Sequence, residues 1–424
     1  MEIKKTVLEN GLVLMTEVLP QFESVAIGAG VRLGSQNEAA PKAGVSHFLE
    51  HMVFKGTATR DAFQIVRDIE QLGGEFNAFT GRDMTCLHVL VPKRGLKTGL
   101  DILADVILNS KLDAAEMKRE RQVILQEISM VEESPEELAF DLFYERVYGR
   151  EGLGSPIAGT RTTVRNMRRR DLAKYYNGYY RPEQTVISVV GDVDPDQVHA
   201  MVQSLLGKKS WPGRDPSPEH KFPGLPLNDQ PPPFKSGRWW IEQNSEQAHL
   251  VWGFDAPHGK SPLRIAANLL QIYLGGGMSS ALFQEVREKH ALAYSVYATY
   301  APHLDSGCFL VYAATRKSKV NECLKLIEGC VRRLAEKPLT ESEFRKVQEN
   351  LKGTLRLSVD SSESRMLNTA QNELIYGVPA PIEEICALID QTKRKDLSRL
   401  ARAFLADSRQ AILGVGPGTA PSSF

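Results

Sequence analysis

The chain has 424 residues, 42% of them hydrophobic and 25% charged, which is long enough for two globular domains, each with its own core. Lysine plus arginine equals aspartate plus glutamate at 52 each, and this balance excludes a global field that would attract nucleic acid or an anionic membrane. The five cysteines form neither a CxxC pair nor a disulfide-scaffold spacing, which predicts reduced, buried thiols.

The N-terminal segment predicts a pair of strands rather than a targeting sequence. Its short apolar run is broken by Glu9, Asn10 and Gly11, so it lacks the apolar region of a signal peptide. Asn10-Gly11 instead favours a tight turn between two strands. The sequence also contains no run of the roughly 18 apolar residues that a membrane span needs. We therefore expect a cytoplasmic protein with no membrane partner.

Helices come in runs between strands in both halves of the chain. Hydrophobic patterns predict strands at 25–34, 85–92, 248–257 and 307–315. They predict helices at 44–55, 61–72, 96–109, 113–131, 262–273, 317–335 and 340–358. Strict alternation of strand and helix is missing, which disfavours a single doubly wound sheet. The sequence therefore predicts an α+β fold with helices layered on one side of a sheet.

The chain divides into two similar halves. Asp171 to Gly191 and Asp396 to Gly416 have the same separation, and each is a helix followed by an apolar strand that ends in Gly. Phe63-Gln64 recurs as Phe283-Gln284 at nearly the same offset, which favours a duplicated domain. The predicted parts are an N-terminal domain at 1–210, a Pro-rich linker at 211–237 and a homologous domain at 238–424.

The segment "SHFLEHMVFKGT" in the first half carries the main candidate site. In a helix, His47, Glu50 and His51 share one face because they are three and four positions apart. Two imidazoles one turn apart can clamp Zn²⁺, and the carboxylate beside them can take a proton from water. On the motif alone, a half-buried helix with hydrogen-bonded histidines remains an alternative.

A catalytic zinc site needs a third protein ligand, and the predicted helix at 113–131 offers two carboxylates. Glu120 and Glu127 are two turns apart and so lie on one face. That arrangement suits one direct ligand and one carboxylate that orients an imidazole. Taken alone, an acidic helix face is more typical of a solvated surface.

These motifs together resemble the inverzincins of the pitrilysin and insulinase superfamily. HFLEH is followed by Glu127 seventy-six positions after His51, with Glu120 one heptad earlier. The two-domain chain is similar to the mitochondrial processing peptidase branch and its bacterial relatives, including "LGGEFNAFTGRDMT" and "GGGMSSALFQEVREKHALAYSVYA". The resemblance implies two homologous domains, each with a mixed, mostly antiparallel sheet, which enclose a chamber. It also implies a zinc metalloendopeptidase with one Zn²⁺ per chain that cuts unfolded or extended peptides.

In the first half, the resemblance assigns a role to each candidate residue. It implies zinc ligation by His47, His51 and Glu127, general-base catalysis by Glu50, and outer support from Glu120. It also places Asn77 and Ala78 on an edge strand whose backbone pairs with an extended substrate, as unpaired strand edges do. Asn77 could also be an ordinary turn residue at a strand end.

The second half has no HxxEH and is predicted to hold no metal. The resemblance implies that Arg287 and Tyr294 reach the substrate carbonyl, where a guanidinium and a phenol can stabilise an oxyanion. Each could also be an ordinary surface or core residue. The chain carries His290-Ala291 where relatives commonly have Arg-Gly.

By analogy with its relatives, the resemblance favours a homodimer. Two other classes of function remain open from the sequence. One is a non-catalytic structural subunit, against which the intact HxxEH and Glu127 count. The other is a chaperone that encloses peptides without cutting them, which a peptide-cleavage assay would distinguish.

Overall fold

The computed structural model describes residues 3–212, 232–377, 381–406 and 409–424. The chain forms two compact units. The first unit is drawn from Met1–Ile128, Ser155–Pro226 and Leu357–Pro381. The second unit is drawn from Ser129–Gly154, Leu227–Arg356 and Ile382–Phe424. Each half of the chain therefore contributes a segment to the unit built mainly from the other half: Ser129–Gly154 belongs to the second unit, and Leu357–Pro381 belongs to the first. The division predicted from the sequence, with boundaries at 210 and 238, does not include this exchange.

The first unit contains a six-stranded mixed sheet. Its strands are β1 (Ile3–Val7), β2 (Val13–Val18), β3 (Ser24–Val31), β4 (Glu75–Thr80), β5 (Thr85–Pro92) and β6 (Thr185–Gly191). Their order across the sheet is β1-β2-β6-β3-β5-β4. Only β2 and β6 run parallel, and the other neighbours are antiparallel. The central β6 is buried along its whole length, whereas β4 alternates between exposed and half-buried residues, as an edge strand does.

The second unit contains a five-stranded sheet of related topology. Its strands are β7 (Gly237–Glu242), β8 (Ala248–Asp255), β9 (Ala293–Pro302), β10 (Gly307–Thr315) and β11 (Gln410–Gly416). The order is β7-β11-β8-β10-β9, with β7 and β11 parallel and the rest antiparallel. In both sheets, one parallel pair is followed by antiparallel neighbours ending at a hairpin edge. The predicted mixed, mostly antiparallel sheets are confirmed.

Helices follow the predicted pattern closely. The first half contains α1 (Val45–Val53), α2 (Ala62–Glu70), α3 (Leu96–Asn109), α4 (Ala114–Glu133), α5 (Pro135–Tyr148), α6 (Arg161–Asn166), α7 (Arg169–Tyr179) and α8 (Pro195–Val202). The second half contains α9 (Arg264–Gly275), α10 (Val320–Glu336), α11 (Glu341–Ser358), α12 (Ser362–Tyr376), α13 (Ile382–Gln391) and α14 (Arg394–Phe404). The repeat noted in the sequence corresponds to α7 followed by β6 and to α14 followed by β11.

Two helices are exchanged between the halves of the chain. Helix α12 packs on β3 and β6 of the first unit, and α5 packs on β8 and β11 of the second. Both helices lie very close to their sheets. A Cβ added to Gly28 would lie 2.0 Å from Met366 Sδ on α12, and one added to Gly253 would lie 2.0 Å from Phe143 Cζ on α5. Each sheet is thus covered by several helices on one face and by one exchanged helix on the other.

The sequence also led to expectations for the cysteines, the linker and membrane-spanning helices. The five cysteines are free and buried, as predicted. Most of the predicted linker, residues 213–231, lies outside the described residues. Its first residue, Trp211, belongs to the first unit, where its buried indole N–H donates to the Leu206 carbonyl at 3.0 Å. Within the described ranges, no helix is both long and apolar enough to cross a membrane.

Candidate metal centre

Helix α1 carries the HxxEH motif, and its apolar residues fix which way the motif faces. Phe48, Leu49 and Met52 are fully buried in the core of the first unit. His47 and His51, one turn apart, lie on the other side with side chains only 17% and 16% exposed. Their rings are 4.7 Å apart between centroids. The imidazoles are therefore adjacent on one face of α1, as helical spacing predicted, and they are partly shielded from water.

Helix α4 brings a carboxylate to the two imidazoles. Glu127 Oε2 lies 3.8 Å from His47 Nε2 and 3.5 Å from His51 Nε2. One potential ligand atom from each of these three residues lies within 4.8 Å of the other two. Because zinc bonds to nitrogen and oxygen are about 2 Å long, tetrahedral ligand atoms are about 3.3 Å apart. The donor set and its spacing thus fit a zinc ion after small side-chain adjustments.

The electrostatics of His47 also fit a metal ligand. Burial, together with the neighbouring His51, lowers the pKa of His47 to about 4. The imidazole is therefore neutral near pH 7, which is the form that donates a lone pair to a metal. Its Nδ1 is buried and has no hydrogen-bond partner among the described residues.

Glu120 contacts the opposite edge of the second imidazole. Its Oε2 lies 3.1 Å from His51 Nδ1, which leaves His51 Nε2 directed toward Glu127. Glu120 is 7% exposed, and its Oε1 pairs with Lys55 Nζ at 2.8 Å. A carboxylate in this position fixes the orientation of a ligating imidazole. The structure therefore separates the two carboxylates that the helical spacing alone left equivalent.

Glu50 lies beside the cluster but engages a different partner. Its Oε2 accepts a hydrogen bond from Thr80 Oγ1 at 2.5 Å. Burial raises the pKa of the Glu50 carboxyl, and the Thr80 hydroxyl opposes that rise by stabilising the ionised form. Glu50 is not part of the three-residue cluster, so its carboxylate is not among the candidate metal ligands.

The edge strand β4 carries the other candidate residues of the first unit. Asn77 pairs with His88 and Ala78 pairs with Leu87, both on β5. On its other side, β4 has no partner strand within the described sheet. Thr80, the hydroxyl donor to Glu50, is the last residue of this strand.

Arg287 and Tyr294 belong to the second unit and contact each other. Arg287 Nη1 donates to the Tyr294 carbonyl at 2.9 Å, and its guanidinium lies 4.6 Å from the Tyr294 ring centroid. The Tyr294 side chain is 77% exposed. Between them, Ala291 has a φ of 49°, in the left-handed region that favours glycine. The departure from Arg-Gly noted in the sequence thus falls where the backbone suits glycine best.

Sequence reasoning missed two residues that hold the candidate site together. Lys55 follows His51 by four positions, so helical spacing could have placed it beside His51, but its contact with Glu120 depends on how α4 packs beside α1. Thr80 is 30 positions from Glu50 and meets it only through the fold. The sequence contains no local signal for that second contact.

Family models match both halves of the chain. The model described as Insulinase (Peptidase family M16) matches residues 13–161, and the model described as Peptidase M16 inactive domain matches residues 166–351. An "uncharacterized zinc protease" of Mycobacterium leprae is 35% identical over 413 residues, which cover 97% of this chain and 91% of that protein. The chain belongs to peptidase family M16.

Other relatives agree with this membership. The "uncharacterized zinc protease" YmxG of Bacillus subtilis is 34% identical, with 99% of this chain and 100% of that protein covered. A protease from Helicobacter pylori has a similar crystal structure, with a TM-score of 0.89, 22% identity, and coverage of 98% of this chain and 99% of that one. A peptidase M16 inactive domain from Pseudomonas fluorescens gives a TM-score of 0.87 at 20% identity, covering 100% and 99%. The predicted superfamily and fold class of this M16 chain are confirmed.

Proposed function

We propose that this M16 chain is a zinc-dependent endopeptidase that hydrolyses unfolded or extended peptides. The observation that carries the proposal is the convergence of His47, His51 and Glu127, with Glu50 beside them and hydrogen-bonded elsewhere. A structural zinc site would have four protein ligands, whereas three ligands and a nearby base are typical of hydrolytic sites.

The roles of the chain's own residues follow from their contacts. A zinc ion held by His47, His51 and Glu127 would supply a Lewis acid that polarises the scissile carbonyl and lowers the pKa of water. Glu50 accepts a proton from the attacking water and delivers it to the amide nitrogen as the C–N bond breaks. The Thr80 hydroxyl favours the ionised form of Glu50 and orients its carboxylate for the first of these transfers.

Strand β4 supports the proposed preference for extended peptides. Its outer edge offers backbone N–H and C=O groups that an added peptide strand can pair with. Such pairing reads the extended backbone at Asn77 and Ala78 with little regard to side chains. A folded protein has few free strands to offer, so we expect unfolded substrates to be cut first.

The test is metal analysis of the purified protein together with a peptide digest read by mass spectrometry. Glu50→Gln should retain nearly one zinc per chain and lower turnover by roughly 100-fold or more, as loss of a general base does. A Glu50→Gln protein that cleaves at the parental rate would refute the assigned base. Parental protein that binds zinc but cuts no peptide would instead favour the chaperone or structural-subunit alternatives.

We extend the proposal to the assembly by analogy with relatives that pair two such chains, and expect a homodimer. Light scattering during size-exclusion chromatography measures the mass directly. A mass equal to one chain at micromolar concentration would reject this part of the proposal without affecting the peptidase assignment.

A further inference from the structure

The first turn of α1 has an unusual N-terminus. The first N–H groups of a helix lack partners within the helix and are commonly capped by a Ser, Thr, Asp or Asn side chain at the N-cap position. Here that position is Gly44, with a φ of 89°. A Cβ on Gly44 would lie 2.6 Å from the Ala158 carbonyl oxygen, so no capping side chain fits there. The helix must obtain its cap from elsewhere in the chain.

Glu38 provides that cap from six residues upstream. Its Oε2 accepts from the Gly44 N–H at 2.6 Å, and its Oε1 accepts from the Ser46 N–H at 2.7 Å. The Ser46 hydroxyl also bonds Glu38 and contacts the Tyr175 hydroxyl at 2.8 Å. Glu38 is 4% exposed and Ser46 is 1% exposed. Both carboxylate oxygens are therefore committed to the start of α1.

Burial of the Glu38 carboxylate costs free energy of folding, and the cap that it provides for α1 compensates for part of this cost. Burial raises the pKa of Glu38 to about 8, although the N–H donors of α1 act against that rise. The positive end of the helix dipole and the two short hydrogen bonds from Gly44 and Ser46 offset part of the cost. An apolar residue would avoid the cost but would leave the N–H groups without a cap.

The helix that Glu38 caps is short and carries the whole HxxEH motif. Helix α1 spans nine residues, Val45–Val53, and a helix of this length is marginal without outside support. His47 is its third residue and so lies in the first turn, where fraying begins. Metal ligands need closely defined positions, and a frayed first turn would move His47 away from His51 and Glu127.

We propose that Glu38 is a positioning residue for the metal centre, which fixes the first turn of α1 and thereby holds His47 in place to bind zinc. The inference rests on the proposed function, because it assumes that His47 is a ligand. Glu38 lies outside the His47, His51 and Glu127 cluster, and we expect it to affect zinc affinity as well as folding.

The experiment compares Glu38→Gln with Glu17→Gln in the full-length chain. Gln keeps the shape of Glu38 but can accept only through one oxygen, so the cap loses one of its two backbone bonds. Glu17 is a matched control, because it is also 4% exposed and lies in the first unit, where it pairs with Arg365 at 2.6 Å. Zinc affinity is measured by chelator competition at a temperature well below both melting transitions.

We expect Glu38→Gln to bind zinc about 10-fold more weakly, within the range seen when an outer support of a ligand is lost. Amide exchange at Gly44 and Ser46 should also become faster than in the parent. Glu17→Gln should lower Tm but leave zinc affinity unchanged. Equal zinc affinity in Glu38→Gln and the parent, or an equal loss in Glu17→Gln, overturns the inference.

Two further outcomes keep the inference separate from the proposed function. If the parent itself binds no zinc, the proposed function fails, whatever Glu38 does. If Glu38→Gln does not fold, Ser46→Ala removes the hydroxyl that bonds both Glu38 and Tyr175 and keeps both backbone bonds to Glu38. We then expect zinc affinity to fall by roughly threefold, as loss of one hydrogen bond predicts, and an unchanged affinity rejects the positioning role.

Discussion

Removing the Thr80 hydroxyl should change the pH dependence of catalysis. Thr80→Val keeps the shape of the side chain but deletes the donor that lies 2.5 Å from Glu50 Oε2. That hydrogen bond stabilises the ionised carboxylate, so its loss adds to the rise in the Glu50 pKa that burial already causes. Because the base must be ionised to accept a proton, activity should fall on the acidic side of the profile.

The size of the effect follows from the strength of the bond. A hydrogen bond to a charged group contributes about 1.5–3 kcal/mol, and 1.36 kcal/mol corresponds to one pH unit. Glu50 is partly exposed, so we take the lower end of this range and expect the acidic limb of kcat/KM to move up by about one pH unit. At a fixed pH on the acidic limb, activity should then fall about 10-fold, while activity on the plateau above that limb stays close to that of the parent.

The assay is a pH profile of cleavage of a quenched, unstructured peptide, with zinc content measured on the same samples. Thr80→Ser retains the hydroxyl and should follow the parental profile. If Thr80→Val lowers activity equally at every pH, the hydroxyl does not act on Glu50 ionisation. If it loses zinc, its role lies in the architecture of the site.

Four further predictions concern the candidate zinc ligands, the stabilisation of the oxyanion, the backbone strain at Ala291, and the pH dependence of stability. Glu127→Gln should weaken zinc binding more than Glu120→Gln, for which a loss of about 10- to 100-fold is expected, and chelator titrations in the opposite order would reverse the two roles. The family resemblance implies that Tyr294 stabilises the oxyanion, so Tyr294→Phe should keep zinc and fold but lower kcat by about 10²- to 10³-fold, and an unchanged kcat would contradict this role. Ala291→Gly should raise the free energy of unfolding by about 0.5–1 kcal/mol in denaturant titrations, because Ala291 has a φ of 49°; a lower value would contradict the strain. The folded-state pKa of His47, about 4, lies below its ordinary 6.5, so the zinc-free protein should be fully stabilised above pH 6.5 and lose up to roughly 3 kcal/mol as the pH falls toward 4. His47→Gln should lose less over that range, and an equal loss would contradict the assignment.

Local periodicity predicted the parts of the candidate site that lie within single helices. His47, Glu50 and His51 are close in sequence, so their shared face follows from helical geometry, and α1 spans Val45–Val53 within the predicted 44–55. The same reasoning placed Glu120 and Glu127 on one face of α4. It could not tell which carboxylate approaches which imidazole nitrogen, because that depends on how α4 packs beside α1.

Contacts between segments that are distant in the chain could not be predicted from the sequence, because no local pattern signals them. Glu38 meets the start of α1 at Gly44, which also lies against Ala158, and neither residue type signals these contacts in the sequence. The exchange of α5 and α12 was also missed, since their hydrophobic patterns resemble those of any amphipathic helix. Predicted strands fared better: 85–92 and 307–315 agree with β5 and β10 at both ends, because buried central strands are continuously apolar.

The exchange of helices has a consequence for synthesis on the ribosome. The last strand of the first sheet ends at Gly191, but the helix that covers its second face ends only at Tyr376. At about 5–20 residues per second, elongation over that interval takes roughly 10–40 seconds. During this time, the nascent sheet presents an apolar face to solvent or to a holding chaperone. Premature termination after the first half would therefore release an aggregation-prone polypeptide rather than a smaller folded protein.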